Sequence, residues 1–282
     1  MCSSDLKTLS LTSPFVLGAA SNNLFKNEAG TLVLSANNAG WTGGVTVNAG
    51  VLRLTSANAA GSGAFSVSPG SANMGTALQL SGGFTWSNPI TLQASAAQVQ
   101  GGVDFGGQLQ SQAGVNYLTG LITMPYGAVI GADAGSTLNL MGGVYAGVNA
   151  TVGNTELRLV GDGNFVLSTT ELTTAPGTLY SVINKFGAGT LWIKSSNSTN
   201  VTDTAGNGLV VKEGSLVIDA NGTWRSKLFI ENGASVTVDD SLVNFDKGRF
   251  SNYSSGAYYD LTMRGGSFRL LGALSSAFPS YE

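Results

Sequence analysis

Few residues in this chain have the type and spacing to do chemistry. Asp239, Asp240, Asp246, Lys247 and Arg249 gather in one short stretch. Clustered carboxylates beside a cation are what acid/base cleavage of an acidic polysaccharide, or calcium binding, would require. Asp239 and Asp240 follow directly on the alternating segment Val236-Thr237-Val238, where the chain is expected to turn, so a solvated turn is the competing and favoured reading. Trp192 lies between Leu191 and Ile193 with the opposite parity, which points its indole outward if both neighbours face a core. Together with Trp41, Trp86, Trp224, Tyr258 and Tyr259 it offers aromatic faces on which sugar rings can stack, although packing is the commoner use of such residues. These speculative carbohydrate positions are Asp239, Asp240, Asp246, Arg249 and Trp192.

Other catalytic classes lose their reagents. The chain has no histidine, so the usual base at neutral pH, the Ser-His triads and most zinc sites are missing. Its one cysteine, Cys2, forms no intramolecular disulfide. The glycines satisfy neither Gly-x-x-x-x-Gly-Lys-Ser/Thr nor Gly-x-Gly-x-x-Gly. Asp162, in Gly161-Asp162-Gly163-Asn164, is one isolated copy of a calcium-loop phrase that works in tandem. No catalytic, metal or cofactor residue is assigned, and no enzymatic activity is expected.

What must position these side chains is a body of many short strands. Charged residues are 10% of the chain and glycines number 40 of 282. Against ordinary globular proteins that is poor in charge and rich in turn formers. The net charge of −3, without a basic stripe, argues against nucleic acid. No apolar run is long enough for a membrane-spanning helix, and no membrane insertion of this segment is expected.

The grammar of the strands repeats. Gly30-Thr31-Leu32-Val33-Leu34 returns as Gly50-Val51-Leu52-Arg53-Leu54, with Val45-Thr46-Val47 between them. The parity places Leu32, Leu34, Val45, Val47, Leu52 and Leu54 inward, and Val33, Thr46 and Arg53 outward. A second copy reads Gly189-Thr190-Leu191-Trp192-Ile193 and Gly214-Ser215-Leu216-Val217-Ile218, with a polar insertion over 195–207. Weaker echoes occur at 77–80, 137–140, 164–167, 234–238 and 266–270. Units of about 20 to 25 residues carrying two or three strands predict an all-β, right-handed, single-stranded parallel β-helix (β-solenoid) of roughly a dozen degenerate coils. An antiparallel sandwich is the alternative, though its hairpins would recur at shorter spacing. Residues 7–282 are expected to form one continuous solenoid, with the best repeat matches at 26–54 and 185–218 and both ends truncated. Residues 1–6 (Met-Cys-Ser-Ser-Asp-Leu) fit no repeat and are read as a non-native leader.

The phrase Lys26-x-x-x-Gly30-Thr31-Leu32-x-Leu34, the spacer at Asn37, Trp41-Thr42-Gly43-Gly44, and Val45-x-Val47-Asn48-x-Gly50-x-Leu52-x-Leu54 together resemble the autotransporter-associated β-strand repeat. Residues 77–92 resemble the sequence that follows such repeats. The second copy departs at the aromatic-Thr-Gly-Gly step, where Thr204 to Gly208 stand instead. The resemblance implies a β-helical passenger, exported across the outer membrane of a Gram-negative-type bacterium and displayed at the cell surface. The expected function is a structural or adhesive stalk segment without catalysis. Surface glycans or other surface molecules, and the rest of its own longer polypeptide, are its expected partners. Two alternatives stay open: a carbohydrate-active β-helix, lyase or hydrolase, working through the cluster from Asp239 to Arg249, and a phage fibre or spike segment.

Overall fold

A computed structural model describes residues 8–14, 22–68, 75–93, 106–146, 155–168, 172–174, 181–194, 208–219, 222–224, 227–241 and 261–272. Regular structure among these residues is entirely β, in twenty-six strands of two to six residues. The alternation in the sequence sets their faces. In Thr31–Leu34, Thr190–Ile193 and Ser215–Ile218 the first and third residues are half-buried and the second and fourth buried. Val45–Val47 hides both valines and leaves Thr46 half-buried.

The strands form three parallel sheets. The first has eleven strands, from Thr8–Leu11 to Leu261–Arg264, and runs through every winding. The second has eight, from Thr85–Trp86 to Ser267–Leu271, and the third seven, from Leu24–Lys26 to Leu172–Thr174. Each strand pairs with its counterpart one winding later, so the chain is a parallel β-helix. Among the described residues, early windings place strands in the first and third sheets, and the last ones in the first and second. Four in the middle, beginning at Ala77–Ser81, Leu109–Ala113, Gly127–Ala132 and Thr155–Val160, carry a strand in all three.

Winding length varies more than the expected 20 to 25 residues. Gly208 pairs with Lys227, 19 residues on, whereas Leu228 pairs with Leu261, 33 residues on. The ladders on either side of the longer intervals stay in register, because slipping a strand by one residue would turn its aliphatic side outward. One extra residue, Gln112, sits within a strand, where the pairing of Leu109–Ala113 with Ala77–Ser81 shifts between Ser111 and Ala113. The polar insertion at 195–207 lies outside the described residues.

Register stacks like on like. Leu32, Leu52, Leu78, Leu109 and Ile130 are successive partners in the first sheet, and Leu138, Phe165, Leu191, Leu216 and Val236 in the second. All are buried, and these columns form one continuous hydrophobic core. Removing each such side chain from water contributes about 1.5–3 kcal/mol. Where early windings lack a second-sheet strand, Trp41, Ala59 and Ala60 close the core from a turn.

Candidate functional site

The repeat's signature residue is its lysine, and the structure places both copies inside. Lys26 ends the strand Leu24–Lys26 and pairs with Val47 in an inward column of the third sheet. Its Nζ donates to the carbonyls of Glu28 and Ala49. Lys185 ends Ser181–Lys185 in the first sheet, between Leu159 and Val211, and is completely buried. Its Nζ donates to the Phe186 and Gly187 carbonyls at 3.0 and 2.7 Å. The backbone repeats the same contacts: Asn48 and Ala49 N–H donate to the Lys26 carbonyl, and Lys212 and Glu213 N–H to that of Lys185. An ammonium therefore pins each corner by supplying donors to turn carbonyls that no ladder reaches.

Burial lowers the pKa of both lysines. That of Lys185 falls to about 8, with Glu213 and Asp162 opposing the fall, and that of Lys26 is lowered with Glu28 opposing. Both carboxylates near Lys185 are tied to its turn, since Glu213 accepts from Gly187 N–H at 2.8 Å and Asp162 from Ala188 N–H at 2.9 Å. Asp162 thus holds one corner to the next. Among the described residues no group of three or more potential metal ligands comes together.

The speculative carbohydrate positions do not converge in what the structure describes. Trp192 is half-buried on the outer face of the second sheet, between Val166 and Val217 in register. Asp239 ends the strand Ser235–Asp239, and its Oδ1 accepts from Ser241 N–H and Oγ at 2.9 and 2.6 Å, a local turn. Asp240 is buried, its N–H donating to the Leu271 carbonyl at 2.7 Å. Asp246, Lys247 and Arg249 lie outside the described residues, as do Tyr258 and Tyr259. Of the other tryptophans, Trp41, Trp86 and Trp224 are buried. Trp41 Nε1 donates to the Asn22 carbonyl at 2.6 Å, and Trp224 Nε1 to that of Lys227 at 3.2 Å. Their ring faces serve packing and are closed to sugars.

A polar ladder on the outer face of the first sheet has no counterpart in the sequence reading. Arg53 Nε donates to Gln79 Oε1 at 3.0 Å, Gln79 Nε2 to Gln110 Oε1 at 2.7 Å, and Gln110 Nε2 to Asp133 Oδ1 at 2.6 Å. The signal lay in outward parity, since Arg53, Gln79 and Gln110 are successive register partners. It was hidden because the intervals between them are unequal.

Residues 24–54 match the family described as passenger-associated-transport-repeat. That segment is a passenger-associated-transport repeat. Among curated proteins and solved structures nothing matches the chain. The repeat begins at the strand that carries Lys26 and ends with Leu54, so it comprises one corner pin and four strands, Leu24–Lys26, Thr31–Leu34, Val45–Val47 and Val51–Leu54. The chain is a β-solenoid carrying a passenger-associated-transport repeat. At residues 185–218 the repeat's Lys-x-x-x-Gly-Thr-Leu corner is rebuilt one face further round. There its Gly-Thr-Leu strand lies in the second sheet, whereas Thr31–Leu34 lies in the first.

Proposed function

We propose that this chain is a structural, stalk-forming segment of an exported bacterial surface protein, one elongated body that spaces or displays other parts of its polypeptide. The carrying observation is a first sheet of eleven parallel strands in register, with a passenger-associated-transport repeat near one end. At about 4.8 Å per winding, ten steps separate the outer strands by roughly 48 Å. Export across the outer membrane of a Gram-negative-type bacterium and exposure at the cell surface follow from the company such repeats keep, passengers of autotransporters. Adhesion to surface molecules belongs to the same reading, and its mechanism is spatial.

The test is twofold. Displayed on cells between an epitope tag and a membrane anchor, the segment should leave the tag open to antibody and external protease. The purified protein, incubated with acidic and neutral polysaccharides with and without calcium, should release no reducing ends or unsaturated products. Turnover lost in Asp239→Ala or Asp240→Ala would replace the stalk with a carbohydrate-active β-helix. A stable trimer by light scattering would favour a fibre or spike.

A further inference from the structure

The ladder from Arg53 to Asp133 floors a groove of about 490 Å³ on the outer face of the first sheet, walled further along by Gln112 and Asp162. Arg53 belongs to the third strand of that sheet, and Asp162 follows the seventh, Thr155–Val160. The groove therefore runs parallel to the solenoid axis over four winding steps, roughly 19 Å. Gln79 and Gln110 are 3% and 7% exposed although they point away from the core, so their amides are held, not solvated. Each spends its oxygen and one N–H on the ladder, so the pair fixes Arg53 at one end and Asp133 at the other. Arg53 commits Nε to Gln79, and Asp133 accepts from Gln110 through Oδ1, which leaves the rest of each fork toward the groove.

The chemistry of this lining selects its ligand. Donors and acceptors alternate along it and one cation faces two carboxylates, so polyanions such as nucleic acid are disfavoured. Its floor is amide, which excludes an apolar helix. An extended peptide binds to sheets by pairing with a free strand edge, and this groove lies on a sheet face whose strands are paired on both sides. A linear sugar presents hydroxyls that both donate and accept, and one ring of an extended chain is about as long as one winding is high. We propose that this groove binds an extended oligosaccharide of about four pyranose rings, laid along the axis, with the free atoms of Arg53, Gln112 and Asp133 as its hydrogen-bonding partners and the buried amides of Gln79 and Gln110 holding Arg53 and Asp133 in place.

This goes beyond the stalk reading, which a spacer without any ligand would satisfy; failure of the groove leaves the stalk standing. The probes are cellohexaose and chitohexaose with their shorter homologues, and maltohexaose as a curled control, titrated calorimetrically into the full chain. At least one extended series should bind, tightening with length until about four rings and then levelling, while maltohexaose does not. Arg53→Ala should weaken binding about tenfold and Gln112→Ala about threefold, the loss of a charged and of a neutral hydrogen bond. Gln112 is half-buried at the groove wall, so its variant keeps the fold, checked by an unchanged circular dichroism melt. Trp192→Ala, on another face, should bind as the parent does. No binding by either extended series at millimolar sugar, equal binding of parent and Gln112→Ala, or loss of binding in Trp192→Ala would each overturn the assignment.

Discussion

Lys185 sits where a leucine is expected, in an inward column between Leu159 and Val211. Burial brings its pKa to about 8, below the ordinary lysine value of 10.5, so the unfolded chain holds that proton more tightly than the folded one. Below pH 8 both states are charged and the folded protein carries the burial cost. Between about 8 and 10.5 the folded lysine is neutral while the unfolded one is still protonated, and stability from this group rises with pH. The urea midpoint of the parent should therefore increase from pH 7.5 to pH 9.5 relative to that of Lys185→Met, which has no proton to lose. A constant difference between the two proteins across that range would refute the buried ammonium. Lys26 and Lys185 open the two best-matching segments, 26–54 and 185–218, but their burial is not legible from the sequence, because lysine is rarely fully buried and the carbonyl cluster that receives each ammonium exists only in the folded corner.

Strands and turns divide the stability in different ways. At Gly50, φ is +66°, and an added Cβ would lie 2.4 Å from the Gly30 carbonyl oxygen and 2.6 Å from that of Glu28. Gly50→Ala should cost about 2 kcal/mol or more in denaturant unfolding. Gly40 has nothing within 4 Å of such a Cβ, and Gly40→Ala should stay within about 0.5 kcal/mol of the parent. In the strands, Leu52→Ala, Leu78→Ala and Leu216→Ala should each lose about 2–5 kcal/mol. Because windings touch mainly their neighbours, Leu52→Ala and Leu216→Ala should add, whereas Leu52→Ala and Leu78→Ala, register partners, should not. Double-mutant cycles by urea titration decide this. The inward leucines and valines were legible residue by residue, as Leu32, Val45 and Leu52 show, since period-two alternation needs no knowledge of neighbours. Which sheet a strand joins was not: Thr31–Leu34 and Thr190–Ile193 share a phrase and follow turns of equal length yet occupy different sheets, because the strand before each, Leu24–Lys26 or Ser181–Lys185, already lies in a different one.

Over the whole molecule, the two ends of the solenoid differ. One presents the edge strand Thr8–Leu11, with Leu9 at 60% exposure, above the start of the third sheet. The other presents Leu261–Arg264, with Leu261 and Met263 nearly half exposed, beside the last strand of the second sheet. Among the described residues the first sheet is the one with an edge at both ends, so copies stacked head to tail should associate weakly and in an open-ended way. Light scattering should show mass rising gradually with concentration, and Met263→Lys should suppress the rise; a strict monomer at high concentration would contradict this. The central claim, that successive windings pile up in parallel register, is tested most directly by pulsed electron spin resonance with Cys2 replaced by Ser. One spin label stays at Thr31, and the second moves through Asn184, Val210, Phe229 and Thr262, partners in the outward column of the first sheet. These positions are separated by 26, 19 and 33 residues, yet each move should lengthen the distance by the same amount, about 4.8 Å. Distances that follow the unequal sequence intervals, or that do not increase from one partner to the next, would contradict the stacked solenoid.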